Sequence, residues 1–146
     1  MKNKYNELFT QLSLYIDEFI GEVLVKKSGM KTTDEWTVKD QLCHIVFWHE
    51  NYAANYKALA DHKIPSLPEG MSTINLAGVL SLRKYSTSKL IARLKAANES
   101  LYTSIVIKKV PMMTYSKGGR TYETSDFLVM ISRHIDTHTK VVKRAT

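Results

Sequence analysis

The chain is poor in the residues that staple or interrupt a small domain. Cys43 is its only cysteine among 146 residues. No intrachain disulfide can form, and a disulfide-built secreted scaffold is excluded. Only three prolines occur, and two of them fall in one segment, HKIPSLPEGMS, from His62 to Ser72. No window approaches 18 uninterrupted apolar residues, so no membrane span is expected. The opening MKNKYNELFT lacks the apolar core of a secretory signal. Internal repeats and low-complexity tracts are also lacking. The expectation is one soluble cytoplasmic domain spanning 1–146, long enough to bury a proper core.

Charge of one sign is in moderate excess: 21 Lys and Arg against 14 Asp and Glu leave +7. That raises nucleic acid as a partner. The basic residues are scattered, however, and several (Lys26, Lys27, Lys108, Lys109, Lys143, Arg144) sit near expected helix ends, where cations complement the helix dipole. No basic run alternates with aromatics, so the charge reads as a solvated surface. A nucleic-acid binder would betray itself by affinity falling steeply with salt.

What the chain has in quantity is helical periodicity. Tyr5, Leu8, Leu12, Tyr15, Phe19 and Val23 recur at steps of three or four, which predicts a first helix ending at Ser28-Gly29. Thr37 followed by Asp40 is a capping box opening a second helix that runs to about Asp61, with Leu42, Ile45, His49, Tyr52, Tyr56 and Leu59 as its main stripe. Trp36 is placed to pack back over its first turn. The proline-bearing 62–72 segment reads as a loop. A short helix over about 73–84 follows, then a longer one capped by Ser86 with Leu90, Leu94, Ala97, Leu101 and Ile105 on one face. TYSKGGRTYET, 114–124, is a turn-rich connection with room for a small hairpin. The last helix starts near Ser125. Four long amphipathic helices argue for an all-α fold, an antiparallel four-helix bundle with a short extra helix.

The last helix carries the chemistry. Phe127, Ile131, His134, His138 and Val141 form one stripe of SDFLVMISRHIDTHTKVVKR. Two histidines thus occupy positions where a packed bundle would place leucines. A buried imidazole needs partners for both ring nitrogens. At i and i+4 both rings reach one point, where a divalent metal could satisfy them. The plainer alternative is a pair of solvent-facing or hydrogen-bonded histidines. A third ligand is needed from elsewhere, and the second helix offers His44 and His49. Five residues turn about 140° around a helix, so the two cannot face the same way. Periodicity favours His49, on the apolar stripe. His44 lies at the flank beside Gln41 and Trp48.

These segments resemble a known family. W36-T-V-K-D-Q-L-C-H44-I-V-F-W48 is similar to the tryptophan-to-histidine segment of DinB-like four-helix bundle proteins, and within them to the ClbS/DfsB group. M71-S-T-I-N75 and Y85-S-T-S-K-L-I-A-R-L resemble that group's third-helix region, and R133-H134-I-D-T-H138-T-K aligns with the last-helix histidine. The resemblance implies a metal site of three histidines, His44, His134 and His138, with His49 as the substitute for His44, holding Zn²⁺ or Ni²⁺. Many ClbS/DfsB members carry aromatics after the last-helix histidine. Here Ile135, Thr137 and His138 stand in that pattern instead, so the chain departs from the group at this position.

A metal on three neutral imidazoles would acidify a bound water or activate a thiolate. The resemblance therefore implies a metal-dependent hydrolase or thiol-type transferase acting on a small electrophile, in detoxification or self-protection. The alternative is a non-catalytic bundle that sequesters its ligand. Trp48, Tyr52 and Tyr56 are candidate pocket-lining residues, and Glu50 and Asp136 candidate acids or bases. Cys43 reads as a buried inert thiol, because sequence neighbours do not share a helix face. A homodimer, paired through exposed apolar faces, is compatible with the pattern.

Overall fold

The structure, a computed structural model, describes residues 4–33 and 35–146. The first three residues of the amino-terminal segment read above lie outside the described residues. The fold is all-α. Its elements are α1 (Lys4–Val25), α2 (Val38–Ala60), α3 (Met71–Leu82), α4 (Thr87–Tyr102) and α5 (Thr124–Lys143). A five-residue π-turn, Thr103–Ile107, prolongs α4. Two-residue strands, β1 (Met112–Met113) and β2 (Tyr122–Glu123), pair antiparallel just before α5. Among the described residues no helix is long and apolar enough to cross a membrane.

The capping box opens α2 as its residues require. Thr37 Oγ1 accepts from the Asp40 amide at 3.2 Å, and Asp40 Oδ2 accepts from the Thr37 amide at 3.1 Å. Asp40 also takes a bidentate pair from Arg83, which ties the end of α3 to the start of α2. Two boundaries differ from expectation. Helix α1 stops at Val25, so Lys26 lies beyond its end and donates instead to the carbonyls of Lys143 and Ala145, at the C-terminus of α5. Helix α3 begins two residues early, at Met71, directly after Gly70 in the left-handed region at φ 73°.

The helices are not simply antiparallel. Glu50 meets Arg93 and Asp61 meets Lys108, so α2 and α4 run in the same direction. Lys143 reaches both Glu18 and, through its carbonyl, Lys26, so α1 and α5 also run together. The consecutive long pairs α1/α2 and α4/α5 are the antiparallel ones, brought together by Lys39 N–H to Ser28 O and Thr124 N–H to Pro111 O. A parallel α2/α4 pair demands a crossover from one end to the other. The 62–70 loop and α3 supply it.

One apolar core runs through the middle, with Leu12, Phe19, Leu42, Tyr56, Leu94, Leu101, Ile105 and Phe127 fully buried. Helix α2 is the most enclosed, buried on several faces rather than one. On α5 the fully packed ridge is Leu128, Ile131, Ser132, Ile135, Thr139 and Val142. His134 and His138 lie beside that ridge, half-buried, facing α2.

Candidate metal centre

The face of α2 that looks toward α5 is the run Gln41, His44, Trp48, Tyr52, at steps of three, four and four. His44 Nε2 lies 3.5 Å from His134 Nε2, and His138 Nε2 lies 3.0 Å from the same atom. One ligand nitrogen from each of the three rings falls within 4.8 Å of the others, and the cluster can hold a metal ion. His49 is elsewhere. It is fully enclosed, and its Nε2 hydrogen-bonds Asn98 Oδ1 of α4 at 3.0 Å. The apolar stripe of α2 marked the side turned to the α1/α4 core, and His49 belongs to that side. Asn98 in turn donates to Ser13 Oγ of α1.

Gln41 orders the cluster from behind. Its Oε1 is 2.6 Å from His138 Nδ1, and its Nε2 donates to Thr32 Oγ1 at 3.0 Å. Thr32 gives its only hydroxyl proton to the carbonyl of Trp36 at 3.1 Å, so it must accept from Gln41. That settles which end of the Gln41 amide faces His138. His138 therefore donates through Nδ1, and its Nε2 presents a lone pair.

All three rings are neutral at pH 7. Burial pushes His44 down to about 4, helped by His134. Burial pushes His138 down to about 3, helped by His134 and His44, and burial lowers His134 as well. Neutral imidazoles are what a metal requires. A tetrahedral ion with nitrogens at about 2.0–2.1 Å separates them by about 3.3 Å, and right-angled coordination by about 3.0 Å. The 3.0 Å separation matches right-angled coordination, and the 3.5 Å separation lies just beyond the tetrahedral value. A single proton on His134 Nε2 would serve one of these contacts well, whereas a cation takes all three lone pairs at once. His44 Nδ1 is buried without a hydrogen-bond partner among the described residues. The donor set fits a divalent metal.

In front of the imidazoles opens a cavity of about 460 Å³. Trp36, Trp48, Tyr52 and Tyr115 supply its flat walls, Met71 and Met130 its flexible ones, and Asn75 an amide. Trp36, beyond packing on the start of α2, brings its ring centroid to 5.1 Å from that of His44. Compared with protein-family models, curated proteins and solved structures, the chain matches none.

Several sequence candidates lie outside this cavity. Tyr56 is fully buried and donates to Thr124 Oγ1, whose own proton goes to Val110 O, so it anchors the start of α5 rather than lining the site. Glu50 is engaged by Arg93 at 2.6 Å, and Asp136 by Lys140 at 3.0 Å one turn away; neither reaches the cavity. Cys43 points into the core, where burial raises its thiol to about 11, leaving it unreactive. Gln41, Asn75, Tyr115 and Met130 join the site without having been singled out for it. Gln41 had a visible signal, its three-residue step to His44. Tyr115 had none, lying in a polar loop that only the hairpin folds back over α2.

Proposed function

We propose that this chain is a four-helix bundle protein of the DinB-like kind, closest to the ClbS/DfsB group, and a metal-dependent hydrolase or thiol-type transferase acting on a small electrophilic compound. The observation that carries the reading is the meeting of His44 with His134 and His138, the last held in its ligating tautomer by Gln41. The order of α1, α2, α4 and α5 and the tryptophan-to-histidine segment support the family assignment.

His44, His134 and His138 would hold the ion, Zn²⁺ or Ni²⁺, which supplies a Lewis acid able to acidify water or stabilise a thiolate. The chain's own groups do the rest. Burial keeps the three imidazoles unprotonated at neutral pH. Gln41 and Thr32 hold the His138 ring in place. Trp36, Trp48, Tyr52 and Tyr115 shield a small molecule from water and grip its apolar body.

One observation favours the sequestering alternative: among the described residues, no carboxylate, lysine or arginine lines the cavity, so the wall offers no charged acid or base. Elemental analysis of tag-free protein tests the metal, with about one equivalent expected in the wild type and loss in His138→Ala. Less than one-tenth of an equivalent, with no uptake from added Zn²⁺ or Ni²⁺, removes the enzymatic reading. Incubation with a panel of epoxides and strained-ring electrophiles, with and without a low-molecular-weight thiol, then separates the two functions by mass spectrometry. Catalysis yields the hydrated or thiol-adducted product, whereas sequestration returns the compound unchanged.

A further inference from the structure

Among the described residues, Asn75 of α3 contributes the one side-chain amide on the cavity wall. Trp48 Nε1 meets its Oδ1 at 2.6 Å. An indole nitrogen can only donate, so the atom it meets must be the carbonyl oxygen, and the rotation of the amide is determined. The opposite edge, Nδ2 with its two N–H groups, has no hydrogen-bond partner among the described residues. Trp48 is itself clamped, with its ring centroid 5.5 Å from Phe47, 5.9 Å from Tyr52 and 6.2 Å from Tyr115. The donor edge is thus held rigid by a rigid neighbour.

We propose that Asn75 is the specificity-determining residue of the cavity, and that its Nδ2 donates to a neutral carbonyl-type oxygen of a planar ligand lying between the aromatic walls. The proposal rests on the reading of this cavity as a substrate site and names the class of molecule it takes. Flat indole and phenol faces favour a flat, conjugated body. Asn75 is an uncharged donor, and a neutral carbonyl oxygen loses less on leaving water for it than a carboxylate does. A site built to donate to a ligand oxygen rejects the analogue that lacks it, because its donors are then left unpaired.

The test uses a pair of matched probes, acetophenone and α-methylstyrene, which differ by an oxygen in place of a methylene. The chain has only two tryptophans, Trp36 and Trp48, and both line the cavity. NMR titration of their indole N–H signals in isotope-labelled protein therefore reads occupancy directly. The full chain is first stripped with a chelator, so the outcome does not depend on whether a metal binds. Acetophenone is expected to bind about two- to tenfold more tightly than α-methylstyrene. Asn75→Asp keeps an acceptor for Trp48 but has no donor edge, and should abolish or reverse that preference with the circular dichroism spectrum unchanged. Asn75→Gln, which retains an amide, provides a second variant if the carboxylate perturbs folding, and should weaken the preference. Equal affinities in the wild type, a preference surviving in both variants, or no binding of either probe at millimolar concentration would overturn the proposal. A protein that takes up no Zn²⁺ or Ni²⁺ in the elemental analysis, yet prefers the ketone here, would lose the metal reading and leave this one standing.

Discussion

Gln41 shows how much one neutral side chain can decide. It is 1 % exposed, and its amide oxygen fixes the tautomer of His138 by accepting a hydrogen bond from Nδ1. Groups that orient a metal-ligating histidine commonly change affinity by about 10- to 100-fold. Gln41→Leu should therefore weaken Zn²⁺ binding by about that factor in a chelator competition, while Gln41→Glu, which keeps an acceptor, should bind at least as well. His49 makes a separate point. Burial holds its folded pKa at about 4, opposed in part by Asn98 and Glu50. Because this value is depressed, the unfolded chain binds the proton first as pH falls. The stability His49 contributes is complete above about 6.5 and is lost as pH drops from there through about 4, with a slope of at most about 1.4 kcal/mol per pH unit. In chelator-treated protein, urea midpoints measured across that window should fall less steeply in His49→Gln than in the wild type.

At the scale of the element, α2 and α3 determine whether a cavity exists. Asp40 serves two helices, capping α2 and receiving Arg83. Asp40→Ala should cost about 2 kcal/mol in urea unfolding, more than Thr37→Ala at about 1 kcal/mol, since only the former also frees Arg83. Gly78 lets α3 lie close on α2: a Cβ there would sit 2.5 Å from Phe47 Cγ, inside any normal contact. Gly78→Ala gains about 1 kcal/mol of helix propensity, yet it must push α3 away at about 1–3 kcal/mol. The expected result is a lower urea midpoint together with a shifted Trp48 emission, as its bond to Asn75 lengthens. The periodicity of α1, α2 and α4 was plain in the sequence because each buries a broad apolar face. On α5 the Phe127–Ile131–His134–His138 stripe is only partly the face that packs: Phe127 and Ile131 are buried, whereas His134 and His138 are half-buried, and the ridge beside them is completed by the polar Ser132 and Thr139. Both satisfy their hydroxyls on carbonyls one turn back, Leu128 and Ile135, and so pack as small core residues.

For the whole molecule, a ligand that binds only the folded state adds stability by mass action. Zn²⁺ at about 100 times its dissociation constant should add about 2.7 kcal/mol, raising Tm by roughly 5–10 °C for a chain of this size. Calorimetry with and without chelator should show that rise in the wild type and its absence in His44→Ala. Taken alone, the sequence determined an all-α chain, the opening of α2 and the i, i+4 histidine pair, because periodicity, capping and helix-face geometry are properties of neighbouring residues. Only the tertiary structure decided that α2 and α4 run parallel, that His44 rather than His49 faces the pair, and that Gln41, Asn75 and Tyr115 complete the site. Those are relations between elements far apart in the chain, and α2 is buried on more than one face. Its own hydrophobic pattern could mark which residues turn inward, but not which neighbour each of them meets.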